Sequence, residues 1–203
     1  MRRDSSTVVA VVGELRRPVL AELSRSANVA VIQPAPPERL DPEPQAQAEE
    51  ARTQPPDLDS AAAALAAAAR KPTRYVLVAA DPLAALAAQW QAMWNLSPTA
   101  ATGFEARAAD LLTAWHAKRF ELPDYYLVLA PLLSGATEPD LYLGPLRATR
   151  PHRVEVVAAD DEGEQATGIR RALGQLRHGP WWPPLDEIID IARGFFPGGQ
   201  PVP

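Results

Sequence analysis

Two hydrophobic periods alternate along this chain. Short apolar runs occur at Thr7–Val12 (TVVAVV), Asn28–Ile32 (NVAVI), Tyr75–Ala80 (YVLVAA), Tyr125–Ala130 (YYLVLA) and Val154–Ala159 (VEVVAA). Runs of this length, rich in β-branched residues and without regular polar alternation, predict strands buried on both faces, as in a parallel sheet. Between and after them, apolar residues recur three or four apart. The sets are Leu15, Val19, Leu23; Leu83, Leu86, Trp90, Met93 or Trp94; Phe104, Ala108, Leu111, Leu112, Trp115; Ile169, Leu173, Leu176; and Leu185, Ile188, Ile189, Ala192. That spacing gives each helix one apolar face. The Ala-rich stretch 61–70 adds a helix able to approach a sheet closely. Strands near residues 7–12, 28–32, 75–80, 125–130 and 153–159, separated by helices, predict an α/β fold. The expected form is an open, mostly parallel five-stranded sheet with helices on both faces, a Rossmann-like three-layer sandwich.

Boundary signals sharpen this pattern. The run Tyr75–Ala80 stops at Asp81-Pro82, where Asp81 suits a helix N-cap and Pro82 a first helical position that needs no N–H donor. Gly13 closes the first strand with a tight turn, and Pro18 fits a helix only within its first turn. Asp57–Ser60 reads as a cap region. Between Leu132 and Pro151 the pattern fades, and Gly144-Pro145 would strain a short helix over Asp140–Arg147.

Composition changes the picture in three places. Residues 33–56 (QPAPPERLDPEPQAQAEEARTQPP) carry one large apolar residue, Leu40. They bury too little to offset their ordering entropy, so a Pro-rich mobile insertion is expected within a single domain spanning 1–203, with a frayed tail after about 196. A net charge of −5 argues against nucleic-acid binding and against docking on an anionic membrane. The chain has no cysteine, which removes disulfides, thiolate metal sites and cysteine nucleophiles together. No apolar run reaches the ~20 residues of a spanning helix, and Val8–Val12 is too short for a signal-peptide core. A cytoplasmic location is the expectation.

Candidate chemistry belongs at the carboxyl ends of the strands, where such sheets bind ligands. The residues expected there are Gly13, Glu14, Arg16 and Arg17, then Gln33, Asp81, Pro131–Ser134 and the pair Asp160-Asp161. No dinucleotide fingerprint or P-loop follows the first strand, and Ser134 lacks a nucleophile elbow. Gly13 with Arg16 and Arg17 suits an anion at a helix N-terminus, or simply a tight turn with solvated arginines. Asp81, Asp160 and Asp161 would hold Mg²⁺ and position a phosphate if they converge; otherwise each serves the backbone at a helix entrance. Apart from that Mg²⁺, no cofactor is expected. Arg147, Arg150, His152 and Arg153 form a basic cluster near the amino edge, read as a solvated loop or a patch facing an acidic partner.

The stretch His178–Pro184 (HGPWWPP), with Phe195-Phe196 after the last helix, is the least ordinary. Adjacent tryptophans between prolines cannot both follow one helix face inward. Trp181, Trp182, Phe195 and Phe196 are therefore candidate interface residues, against the plainer alternative of a loop that caps the core and a third reading, a stacked sugar or base. The leading functional reading is a non-catalytic binding or assembly module, acting through a protein partner or self-association in a cytoplasmic complex. Its rival is an enzyme on nucleotides or phosphoesters that uses the three aspartates. A small-ligand sensor at the Gly13–Arg17 turn is a third.

Overall fold

A computed structural model describes residues 6–13, 15–33, 57–95, 99–130, 140–158 and 162–195. The strands are β1 (Thr7–Val12), β2 (Val29–Ile32), β3 (Tyr75–Val78), β4 (Tyr125–Ala130) and β5 (Val154–Ala158). All pair in parallel, in the order β2-β3-β1-β4-β5. The expected α/β architecture is thus present, with β2 and β3 exchanged relative to the 3-2-1-4-5 order of dinucleotide-binding sheets.

The helices are α1 (Arg17–Ser24), α2 (Leu58–Ala68), α3 (Ala84–Trp94), α4 (Ala100–His116), α5 (Glu162–Gly174) and α6 (Leu185–Gly194). Strand alternation divides the core. Val9, Leu77, Leu127 and Val157 pack with Val19 and Leu23 of α1 and with Ile169 and Leu173 of α5. On the opposite face, Val8, Val76 and Val78 meet Ala61, Ala64, Leu65 and Ala68 of α2. Beside them, Ala10, Tyr126 and Val128 meet Leu86, Trp90, Phe104 and Leu111 of α3 and α4, and Ile188 and Ile189 of α6. The chain leaves β1 toward one sheet edge but leaves β2, β3 and β4 toward the other. Crossovers of one hand must then place α1 on the face opposite α2, α3 and α4, as observed.

Local choices explain the boundaries. Asp57 caps α2 by accepting from the Ser60 N–H at 2.8 Å, and Pro18 sits in the first turn of α1. Asp81 departs from its expected role. Its carboxylate accepts from the Leu83 N–H, two residues on, so Asp81–Leu83 forms a turn and regular helix starts only at Ala84. The strained helix foreseen at Gly144-Pro145 is a π-turn, Tyr142–Leu146. Pro145 has no N–H to donate, and the Leu146 N–H reaches five residues back to the Leu141 carbonyl at 3.0 Å.

Candidate functional site

α5 lies on one face of the sheet and α6 on the other, so the chain between them must cross a sheet edge. It crosses beneath the amino ends of β4 and β5, and this crossing is the HGPWWPP stretch. Arg153, the residue before β5, holds it. Its guanidinium donates to the carbonyls of Pro180 (2.6 Å), Asp124 (2.8 Å) and Gly179 (2.9 Å) while the residue stays only 6% exposed. The same cation lies 5.2 Å from the centre of the Tyr125 ring and 4.5 Å from that of Trp181. Arg150 adds a bond from Nε to the Trp181 carbonyl at 2.7 Å. Gly179 is required for contact: a Cβ there would collide with the His152 imidazole.

The two indoles divide the work. Trp182 is 5% exposed, packs edge-on against Tyr126 at 5.8 Å and donates its Nε1–H to the Pro123 carbonyl at 2.7 Å. Trp181 is 39% exposed. One indole anchors the loop in the core, and the other is held at the surface by a cation–π contact and a bonded backbone. Phe195 is also exposed, but it packs near Gly144 at the far end of α6, about 15 Å along that helix. It therefore does not share a patch with Trp181.

A groove of about 460 Å³ opens on the same amino edge, on the other side of Pro123 and Asp124. Leu65, Ala66 and Ala69 form one wall, Lys118 and Phe120 the other. Lys118 turns the chain there with φ +55°, and Asp124 ties the rim together by exchanging bonds with the Val8 backbone.

At the carboxyl edge, Gly13 has φ +106° and abuts Leu129, making the predicted tight turn. Arg16 and Arg17 are exposed beside it. Asp81 is buried and its donors come from within the fold. Tyr126 (3.0 Å) and the Leu83 N–H reach Oδ1, and the Tyr142 hydroxyl reaches Oδ2. Burial pushes the Asp81 carboxyl up to about 6, with the three donors and nearby Asp140 as opposing and reinforcing influences respectively. Burial next to Asp81 also raises both phenols well above the usual tyrosine value. Among the described residues, no group of three histidines or carboxylates is gathered to hold a metal ion. Glu14, Pro131–Ser134, Asp160, Asp161 and Phe196 lie outside the described residues, as does all of the 33–56 insertion but Gln33.

Sequence reasoning missed the tasks of Arg153, Tyr126 and Tyr142. For the tyrosines a signal existed: Tyr126 falls on the helix-covered face of a central strand, and a buried phenol must find a partner. Nothing local marks Arg153, whose acceptors lie 26 to 29 residues away. No helix among the described residues is long and apolar enough to cross a membrane. The chain matches no protein-family model, and searches of the curated proteins and of the solved structures find no match.

Proposed function

We propose that this protein is a non-catalytic α/β binding module in a cytoplasmic complex, and that its amino edge around Trp181 is the contact surface. The observation that carries the reading is the unequal fate of the two indoles. Trp182 is buried and bonded, whereas Trp181 is 39% exposed on a backbone already fixed by Arg150 and Arg153. A side chain of this size leaves on the order of 100 Å² to be covered, about 2.5 kcal/mol of apolar burial. That is the magnitude of an interface hot spot, and the loop has little entropy left to lose on docking. The groove beyond Pro123 supplies a concave neighbour for the same partner.

The rival enzyme reading needs Asp81 to face a substrate. Its two carboxylate oxygens are engaged by Tyr126, Tyr142 and Leu83, and that supports a structural role.

The test is the size of the chain in gently lysed cells of its source, read by size exclusion. Wild type should elute above the 21.9 kDa monomer, and Trp181→Ala should return it toward monomer while the purified variant melts normally. A dilution series of purified protein separates self-association from a second protein. A wild-type chain that elutes alone, or a complex that survives Trp181→Ala, overturns the reading.

A further inference from the structure

We infer that the partner segment seated on Trp181 is acidic. This rests on the binding-module reading above and adds the chemistry of what is bound. The chain as a whole carries −5, yet two side chains that touch Trp181 are cationic, the first being Arg153, 4.5 Å from the centre of its ring. Arg150 donates to the carbonyl of Trp181 itself and to that of Thr149. Arg147 lies one helical turn before it. Arg177 lies four residues before Trp181, its own carbonyl held by the Tyr125 hydroxyl at 3.0 Å. None of Arg147, Arg150 and Arg177 meets a carboxylate among the described residues. By contrast, Arg119, Arg170 and Arg193 reach Asp59, Glu22 and Glu105.

Some other surface arginines, Arg25 and Arg74 among them, also lack such a partner among the described residues. What sets Arg150 apart is that it bonds the carbonyl of Trp181, whose indole is exposed and immobilised, with Arg147 near it in sequence and Arg177 near Trp181. The Arg150 side chain is fixed through Nε and Nη1 to carbonyls, and no carboxylate among the described residues compensates its charge. A partner offering carboxylates beside an apolar side chain satisfies both features at once: the carboxylates take the guanidinium donors and the apolar group covers the ring. A neutral or basic segment would leave the arginines opposed or unmet.

Two synthetic 15-residue probes test this, (Glu-Pro-Leu)5 and (Lys-Pro-Leu)5, added to the full chain at 50 mM salt and followed by fluorescence anisotropy. The acidic probe should bind at least tenfold tighter than the basic one. Its affinity should fall at least fivefold in Trp181→Ala and in Arg150→Glu, and fall steeply with added salt. It should be unchanged in Arg107→Glu, a reversal on the exposed surface of α4. Equal binding of the two probes, or acidic binding indifferent to Trp181→Ala and Arg150→Glu, overturns the inference. So does a dT15 oligonucleotide that binds as tightly with the same dependence, since it would replace a protein partner by a nucleic acid. If the probes fail while Trp181→Ala still dissolves the native complex, the binding module stands and only the acidic partner falls.

Discussion

Asp81 is the residue whose environment makes the firmest quantitative demand. Unfolded, its carboxyl titrates near 3.8; folded, burial raises it to about 6. A raised folded pKa means that its contribution to stability is fully present below about pH 3.8 and is lost as pH rises through about 6. The difference across that window is about 3 kcal/mol. Asp81→Asn removes this titration and keeps Oδ1 for Tyr126 and the Leu83 N–H. The melting temperature of Asp81→Asn relative to wild type should therefore climb by roughly 6–12 °C between pH 3.5 and pH 7.5. A difference that stays flat across that range would show that Asp81 is not held in its buried, phenol-bonded setting. Arg153 is the second residue with a distinct prediction. Its fork serves three carbonyls, which a lysine ammonium cannot reach in the same geometry. Arg153→Lys should cost about 2–3 kcal/mol and shift Trp181 emission to the red as the loop loosens; unchanged emission would separate the loop from Arg153.

At the scale of elements, the crossing from α5 to α6 behaves as a clip with one buried and one exposed jaw. Trp182→Ala should lose about 3–5 kcal/mol in urea unfolding, since it leaves a cavity against Tyr126 and strands the Pro123 carbonyl. Trp181→Ala should lose no more than about 1 kcal/mol, the worth of an exposed cation–π contact. Equal losses would mean that the loop simply caps the core. How much of this was legible in the sequence follows from the range of the interactions involved. The strands and the faces of α3 and α4 rest on periodicity within a dozen residues, and they lie where the apolar pattern puts them; the Ala-rich stretch 61–70 foretold α2, which spans Leu58–Ala68. The start of α3 slipped to Ala84 because Asp81 bonds forward to Leu83 and sideways to two tyrosines, contacts 45 and 61 residues apart that no local signal encodes. The π-turn at Tyr142–Leu146 was visible only as a warning from Gly144-Pro145. The loop's composition singled out Trp181 and Trp182 together; which of the two turns inward depends on Pro123 and Arg153, both distant in the chain.

For the molecule as a whole, ligand chemistry was sought at the carboxyl edge, and among the described residues, which omit Glu14, Pro131–Ser134, Asp160 and Asp161, the more developed surface lies at the amino edge. There the buried Trp182, the Arg153 that lies under Trp181, and the groove lined by Leu65, Ala66 and Phe120 border the same two residues, Pro123 and Asp124. A stable protein contact needs about 800 Å² per partner, several times what Trp181 alone exposes, so the groove should share in it. Ala66 is exposed on the groove wall; Ala66→Arg should weaken complex formation with little change in melting temperature, and an unaffected complex would confine the contact to the Trp181 side. The most direct measurement is oxidative footprinting of the two indoles, read by mass spectrometry in the purified chain and in the native cell extract. The account predicts that Trp181 is labelled in the purified chain and protected in the extract, while Trp182 is protected in both. Equal labelling of Trp181 in the two samples would contradict it.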